Sequence, residues 1–299
     1  MRAAIIGVGK AGSLHLKTLK KIDAIKKIYL IDRQPEKLST LKGETILSDY
    51  TRLKDNLDLA IVATPTSTHY NIARFFLNKG VPVLVEKPLT SALGEADSLI
   101  RIAQKRKVLL FVGHIERYNN AYIHAKKIIK NPQFIECHRL SMYPHRSLDI
   151  SVVLDLMIHD LDIILDITKD TVKKIEAVGV KVLSKHPDIA NARISFKKGC
   201  IANVTASRIS KEKVRKFRVF SPHSYLSLDY AQQKVEIYRK FKTLVQRQML
   251  EVPKEEPFKK ELLEFIFLIQ KNILSLSSSL KARDALSLAL KIQKLIEKN

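Results

Sequence analysis

Three glycines lie close together near the amino terminus. Gly7, Gly9 and Gly12 directly follow a short apolar run and open a helix-like segment. The first glycine permits a tight turn, the second lets the backbone approach a pyrophosphate, and the third allows close packing of helix and strand. A helix beginning here would direct its free N–H groups at the phosphates. The spacing predicts dinucleotide binding, and the alternative is a glycine-rich turn that binds nothing.

An acidic residue, Asp32, ends the next apolar run, at the distance from Gly12 where nucleotide-binding units place one. Its carboxylate can accept hydrogen bonds from both ribose hydroxyls and would repel a 2′-phosphate, which favours NAD over NADP. Arg33 follows directly and could pair with that phosphate, so NADP stays possible. Asp32 could instead cap a helix, because Pro35 suits the first helical turn.

A lysine, Lys87, follows the fourth apolar run, in the sequence Val-Glu-Lys-Pro over residues 85–88. Ligands of parallel sheets bind at the carboxyl ends of the strands, so Lys87 is expected at the cofactor crevice. Its ammonium group could stabilise an alkoxide that develops as a hydride leaves. The Glu-Lys-Pro tripeptide within this sequence could equally be a surface ion pair beside a turn.

One apolar helix-like segment carries a polar stripe. Asp155 and His159 are spaced i, i+4 and therefore share a face, which Asp162 and Asp166 continue. A carboxylate beside an imidazole orients the ring and raises its basicity, which suits a general base. The alternative is the solvated face of an amphipathic helix. A metal site is the weaker interpretation, because a third clear ligand motif is lacking, and no metal is predicted.

Apolar runs alternate with helix-like segments through the first part of the chain, as expected of parallel strands buried on both faces. The predicted strands are residues 3–6, 27–31, 59–63, 81–85 and 108–112, and the predicted helices are residues 11–20, 68–78 and 92–105. This order predicts a doubly wound parallel sheet of the Rossmann type, forming a first domain over residues 1–118.

After Tyr118 the apolar and polar residues alternate, which is typical of an antiparallel sheet with one solvated face. The predicted strands are residues 175–182, 190–197, 200–207, 213–220, 225–228 and 234–239, and the predicted helices are residues 121–130, 152–168, 257–271 and 280–298. The sequence therefore predicts a second domain over residues 119–299, of the α+β class with a large, mostly antiparallel open sheet.

The composition is strongly basic. The 299 residues include 53 lysines and arginines against 30 acidic residues, a net charge of +23, which favours anionic partners. Specific nucleic-acid binding is not expected, because the lysines are dispersed and tryptophan is absent. Two cysteines, Cys137 and Cys200, cannot form a disulfide framework, and no apolar run is long enough to span a membrane. We expect a cytoplasmic protein.

Five stretches in this order, GVGKAG, ATPTSTH, VEKP, GHIERYN and DLMIHDLD, resemble the Gfo/Idh/MocA family of nicotinamide-dependent oxidoreductases over nearly the whole chain. The resemblance implies catalytic roles for Lys87, Asp155 and His159. It also implies that the C-terminal sheet forms a homodimer or homotetramer. The cofactor-binding residues predicted from the motifs are Gly7, Gly9, Lys10, Ala11, Gly12, Asp32, Arg33, Thr64, Pro65, His69, Glu86 and Lys87.

Within the family, residues 113–119 and 205–210 are most similar to the enzymes that oxidise UDP-N-acetylglucosamine at the sugar C3 hydroxyl. This similarity implies a role in nucleotide-sugar metabolism, with Arg117, Tyr118, Asn119 and Arg208 binding the substrate. Arginines suit a diphosphate, although they could be ordinary surface charges. The alternatives are a dehydrogenase of a free sugar or polyol, and a regulator of the same fold that senses NAD without turnover.

Overall fold

The computed structural model describes residues 1–38, 43–143, 149–241 and 244–298. Its strands are β1 (Arg2–Ile6), β2 (Lys27–Ile31), β3 (Thr45–Leu47), β4 (Leu59–Val62), β5 (Val83–Glu86), β6 (Leu110–Gly113), β7 (Phe134–Leu140), β8 (Val172–Val180), β9 (Ile189–Phe196), β10 (Ile201–Ser207), β11 (Val214–Ser221), β12 (Ser224–Asp229), β13 (Lys234–Phe241) and β14 (Leu244–Leu250). Its helices are α1 (Lys10–Leu19), α2 (Thr66–Asn78), α3 (Leu93–Arg106), α4 (Asn120–Ile128), α5 (Ile158–Thr168), α6 (Pro257–Gln270) and α7 (Ser277–Lys298).

The chain divides into two compact units. The first comprises Met1–Gly113 and Phe258–Arg283, and the second comprises His114–Pro257 and Asp284–Asn299. The sequence predicted a single boundary at residue 118, with everything beyond it in the second domain. The structure differs from this prediction mainly in α6 and the start of α7, which belong to the first unit although they follow the second sheet in the sequence. Helix α6 buries Phe265 against Phe111 of β6, with 5.4 Å between the ring centroids.

The first unit contains a six-stranded sheet in the order β3-β2-β1-β4-β5-β6. All its strand pairs within the described residues are parallel. The central strand β4 consists of Leu59, Ala60, Ile61 and Val62, each fully buried, because helices cover both faces of such a sheet. The predicted doubly wound fold is confirmed, with one strand, β3, that the sequence analysis missed.

The second unit contains an eight-stranded sheet in the order β14-β13-β12-β11-β7-β10-β9-β8. Strands β7 and β10 are parallel, and the other described pairs are antiparallel. The predicted α+β class is therefore confirmed. Strands β7 and β14 were not predicted. Along the described parts of the chain, no helix has both the length and the apolar character needed to cross a membrane.

One face of this sheet is buried although β7 contributes an arginine to it. Arg139 is 3 % exposed. Its Nε and Nη2 atoms donate to the carboxylate of Asp160 at 2.8 and 2.9 Å, and its Nη1 atom donates to Glu116 at 2.9 Å. These charge-assisted hydrogen bonds compensate the cost of burying the guanidinium group. Burial alone would lower the pKa of Arg139, but the two carboxylates outweigh it and raise the pKa.

Candidate active site

The glycine turn after β1 is built as the sequence predicts. Gly7 has φ +88°, and a Cβ atom there would lie 2.7 Å from the carbonyl oxygen of Ala63. A Cβ atom on Gly12 would lie 1.9 Å from the carbonyl oxygen of Gly7, whereas one on Gly9 would meet nothing within 4 Å. Gly9 therefore borders open space at the amino terminus of α1, where a dinucleotide phosphate fits against uncapped N–H groups. Lys10 and Ala11 form the first turn of that helix.

A cavity of about 600 Å³ lies at the carboxyl ends of the first unit's strands. Of the predicted cofactor-binding residues it is lined by Gly7, Asp32, Arg33, Thr64 and Pro65. Its size and its position at the strand ends suit a dinucleotide. Asp32 also accepts a hydrogen bond from the N–H of Val8 at 2.8 Å, which ties the end of β2 to the glycine turn.

The same cavity includes residues that the sequence analysis missed. They follow β3 or lie in α2, and they are Ser48, Asp49, Tyr50, Ser67, Thr68, Asn71 and Ile72. Because β3 is only a three-residue strand, its apolar run was too short to mark the loop that follows as a strand end. The signal available was the acidic Asp49 directly before Tyr50.

His69 lies beneath this cavity rather than on its surface. It is 1 % exposed, and its two ring nitrogens lie 2.9 Å from the carbonyl oxygens of Pro88 and Thr64. Burial lowers the pKa of His69 despite these two carbonyls. The ring connects the loop after β4 to the loop after β5. We therefore assign His69 to positioning these loops and not to the direct cofactor contact that the sequence predicted.

Glu86 ends β5, and its carboxylate is bound to another side chain. Its Oε1 atom lies 2.9 Å from Nε2 of His15 in α1. Burial raises the pKa of Glu86, but the hydrogen bond and charge of His15 and the charge of Lys87 outweigh it and leave the pKa below its usual value. Glu86 is thus a carboxylate anchored to α1. Lys87 follows it directly and is half-buried at the carboxyl end of β5.

In the second unit, the predicted catalytic helix begins with a wider turn. Residues Val153–Met157 form a π-helical turn that leads into α5, and such turns are frequent at functional sites. Asp155 lies in this turn, His159 lies in the first turn of α5, and both are half-buried. The rings of His159 and His114 are edge-on, with 6.5 Å between their centroids. His114, which the sequence analysis did not single out, is therefore part of the candidate site.

The rest of the polar stripe is paired and not solvated. Arg117 donates to Asp162 through Nη2 at 2.7 Å and lies 3.0 Å from Asp166 through Nη1. Asp162 is 1 % exposed, and its Oδ2 atom lies 3.7 Å from Nδ1 of His114. Burial would lower the pKa of Arg117, but the two carboxylates raise it. Arg117, expected to bind substrate, instead fixes α5 beside His114.

Two neighbours of Arg117 have different positions. Asn119 is 3 % exposed; its side-chain oxygen caps α4 at the N–H of Ala121, and its amide donates to the carbonyl oxygen of Tyr230 at 3.0 Å. Its groups are thus used within the fold, and the expected substrate contact is replaced by a capping role. Tyr118 is half-buried and stays a predicted substrate-binding residue.

Arg208 has no exposed surface. Its Nε atom donates to Asp188 at 2.9 Å, and its two terminal nitrogens donate at 2.9 Å to the carbonyl oxygen of Ile150 and to the hydroxyl of Ser184. A substrate phosphate has no access to these donors. The predicted substrate-binding role is therefore wrong in this structure, because the sequence could not show that Asp188 neutralises the arginine.

Family models match both parts of the chain. The NAD-binding Rossmann model of the Gfo/Idh/MocA oxidoreductases matches residues 1–114, and a C-terminal domain model of the same family matches residues 131–225. The chain belongs to this family. The motif resemblance is therefore confirmed, and the protein is an NAD-binding oxidoreductase.

Two curated relatives and one solved structure extend this result. UDP-N-acetylglucosamine 3-dehydrogenase of Acidithiobacillus ferrooxidans is 34 % identical over 244 residues, covering 80 % of this chain and 77 % of that protein. Myo-inositol 2-dehydrogenase of Thermotoga maritima is 26 % identical over 229 residues, covering 70 % and 69 %. A crystal form of the Acidithiobacillus enzyme superposes with a TM-score of 0.91 at 30 % identity, covering 100 % of this chain and 98 % of that one.

Proposed function

We propose that this protein oxidises the C3 hydroxyl of UDP-N-acetylglucosamine with NAD. The similarity to the Acidithiobacillus enzyme carries the proposal, because it reaches 34 % identity and extends over the whole chain at a TM-score of 0.91. The inositol dehydrogenase similarity is lower and covers less of the chain. It supports the reaction type, the oxidation of a ring hydroxyl, more than it supports inositol as the substrate.

Three residues carry the proposed reaction. His159 accepts the proton of the C3 hydroxyl, and Asp155 orients and supports the imidazole ring. Lys87 donates a hydrogen bond to the oxygen while it carries alkoxide charge. A bound NAD supplies the acceptor for the hydride from C3. The C3 alcohol would thereby become a ketone, and His159 would hold the proton of its hydroxyl.

NAD is the preferred cofactor in this proposal. Two carboxylates, Asp32 and Asp49, border the cavity of the first unit, and both disfavour a 2′-phosphate by charge repulsion. Arg33 also lines the cavity and is the one residue of the predicted set that would favour NADP. The charge balance around the ribose end of the cavity therefore supports NAD.

The proposal includes self-association through the open face of the second sheet. Four half-buried aromatic residues cross neighbouring strands on this face, Phe134, Phe220, Tyr225 and Tyr238. Their successive ring centroids lie 5.5, 4.7 and 5.2 Å apart. Half-exposed aromatic rows are typical of protein interfaces, and a second copy of the same sheet offers the complementary surface for a homodimer or homotetramer.

The test is NADH formation from UDP-N-acetylglucosamine, with free sugars and inositols in the same panel. We expect His159→Ala to lower kcat about 10²–10⁴-fold, the usual contribution of a positioned general base. Lys87→Ala should lower it about 10²–10³-fold, as for other charge-stabilising donors. Calorimetry should find NAD affinity nearly unchanged in His159→Ala.

The possible results separate the alternatives. Oxidation of a free sugar or inositol without activity on UDP-sugars would refute the substrate proposal and leave the mechanism in place. Near-normal turnover by His159→Ala would refute the mechanism. NAD binding without turnover of any alcohol would favour the cofactor-sensing regulator.

A further inference from the structure

A buried imidazole in the first unit is paired with the half-buried carboxylate of Glu86, the residue directly before Lys87. His15 is completely buried in α1, and its Nε2 atom lies 2.9 Å from Oε1 of Glu86. The ring also packs on Phe258 of α6, with 4.4 Å between the ring centroids. Neither the glycine turn nor the proposed proton transfer explains why a histidine occupies this position.

The environment of Glu86 is enclosed on several sides. A Cβ atom on Gly113 of β6 would lie 3.4 Å from its Oε2 atom. The charges that act on it are those of His15 from α1, Lys87 from its own turn and His69 from α2. A second acid, Glu261 of α6, is 1 % exposed and is close enough to respond to the charge of Glu86.

These contacts determine which acid is charged. The pKa of Glu86 lies below its usual value, because the His15 hydrogen bond and the neighbouring positive charges outweigh burial. Burial raises the pKa of Glu261, and the charges of Glu86 and Glu264 raise it further. Glu86 is therefore ionised at neutral pH, whereas Glu261 holds its proton more strongly than an ordinary glutamate does. Because Glu86 is ionised, the hydrogen bond runs from Nε2–H of His15 to the carboxylate.

We propose that His15 is a positioning residue for Lys87: by donating to Glu86, it maintains a fixed negative charge beside the lysine ammonium during the reaction. This inference rests on the proposed function, in which Lys87 donates to the alkoxide. Without the donor, the enclosed carboxylate takes up a proton more readily, since burial then dominates. Lys87 would then lose the adjacent negative charge that holds its ammonium group in place.

Two substitutions at His15 separate this role from packing. His15→Leu and His15→Gln both remove the ring contact with Phe258, but only the glutamine provides a side-chain N–H donor for Glu86. For His15→Leu we expect kcat to fall on the order of tenfold near pH 6, the equivalent of one hydrogen bond to a charged group. Its kcat should recover as the pH rises and Glu86 ionises. His15→Gln should follow the pH profile of the wild type over this range.

A substitution of Glu86 provides a second measurement that does not depend on the folding of His15→Leu. Glu86→Gln is neutral at every pH, so we expect a lowered kcat without recovery at higher pH. KM and the NAD affinity should change little in comparison. Normal kcat in Glu86→Gln, or identical pH profiles for the leucine and glutamine variants of His15, would overturn the inference.

The pH dependence of stability measures the same pair without turnover. In the wild type, the lowered pKa of Glu86 contributes stability above the unfolded-state pKa, about 4.3, and that contribution is lost as the pH falls. In His15→Leu we expect the pKa of Glu86 to be raised instead of lowered. Its contribution to stability then changes sign, so the carboxyl group destabilises the fold as the pH rises. The urea midpoints of His15→Leu and His15→Gln should therefore diverge from pH 4.5 to pH 7.

The two proposals can fail separately. If the wild type oxidises another alcohol of the panel, the substrate proposal fails, and the kcat profiles are measured with that alcohol. If the wild type oxidises UDP-N-acetylglucosamine while the His15 variants have equal profiles and equal stability curves, only the role of His15 is wrong. A wild type inactive with every alcohol would overturn both.

Discussion

Replacing Arg208 with methionine should destabilise the protein and leave substrate affinity unchanged. Within the described residues, the guanidinium group donates hydrogen bonds to Asp188, Ile150 and Ser184, each at 2.9 Å. Breaking a buried ion pair by removing one partner costs about 3–5 kcal/mol. Asp188 would still accept hydrogen bonds from the N–H groups of residues 182–184, so its charge would stay partly compensated. We therefore expect the lower end, about 3 kcal/mol.

Asp188→Asn should cost more, about 4–5 kcal/mol, because it leaves the buried guanidinium of Arg208 without an anionic partner. Arg193→Met is the matched control, since Arg193 is an exposed arginine of β9 that donates to the amide oxygen of Asn203 at 3.1 Å. That variant should stay within about 0.5 kcal/mol of the wild type. Urea unfolding followed by circular dichroism gives the three free energies of unfolding.

The pH dependence gives an additional check on Arg208. Burial raises the pKa of Asp188, but hydrogen bonds from Ser184, from backbone N–H groups and from Arg208 outweigh it and lower the pKa. The stabilisation is therefore present above the unfolded-state pKa, about 3.9, and is lost as the pH falls further. The difference in the free energy of unfolding between Arg208→Met and the wild type should therefore become smaller below that pH. A raised KM for UDP-N-acetylglucosamine with unchanged stability would instead show that Arg208 contacts the substrate.

Further predictions concern four substitutions and the binding of DNA. Gly12→Ala should lower the free energy of unfolding by about 3 kcal/mol or more, since its Cβ would overlap the carbonyl oxygen of Gly7. Gly9→Ala should fold normally. By calorimetry it should bind NAD about tenfold more weakly, about the cost of one lost hydrogen bond to a charged group. If the proposed self-association occurs through the aromatic row, Tyr225→Lys should give a monomer in light scattering, because it places a charge in that row. Glu261→Gln should raise the urea midpoint more at pH 7 than at pH 5, because the raised pKa of Glu261 makes its carboxyl group destabilising as the pH rises. Duplex DNA should bind weakly and with a steep loss of affinity in salt, and sequence-selective binding at physiological salt would contradict this.

The first sheet could be predicted because its strands are buried on both faces. Strands β1, β2 and β4 are continuous apolar runs, and the structure places them within a residue of their predicted bounds. The glycine turn could also be predicted, because a Cβ atom at Gly7 or at Gly12 would clash with neighbouring backbone atoms, so both positions require glycine. Local sequence was therefore sufficient to predict both these strands and the glycine turn.

Strand β7 was missed for the opposite reason. Its inward residues alternate, but one of them is Arg139, whose charge is compensated by Asp160 and Glu116 from other elements. Hydrophobic patterning does not identify a buried arginine whose charge is compensated by carboxylates that are distant in the sequence. The same limit applies to Arg208, which resembles a phosphate-binding residue until its carboxylate partner Asp188 is located.

The return of residues 258–283 to the first unit affects how the protein folds during synthesis. When residues 1–113 have left the ribosome, Phe111 still lacks Phe265, and the backbone of Val112 lacks the Ser278 hydroxyl that it contacts at 2.9 Å. The nascent nucleotide-binding unit therefore waits for the whole second sheet to be translated before its outer layer is complete. Ribosomes add about 5–20 residues per second, so this edge of β6 stays uncovered for roughly 7–30 seconds, an interval in which chaperones have access to it.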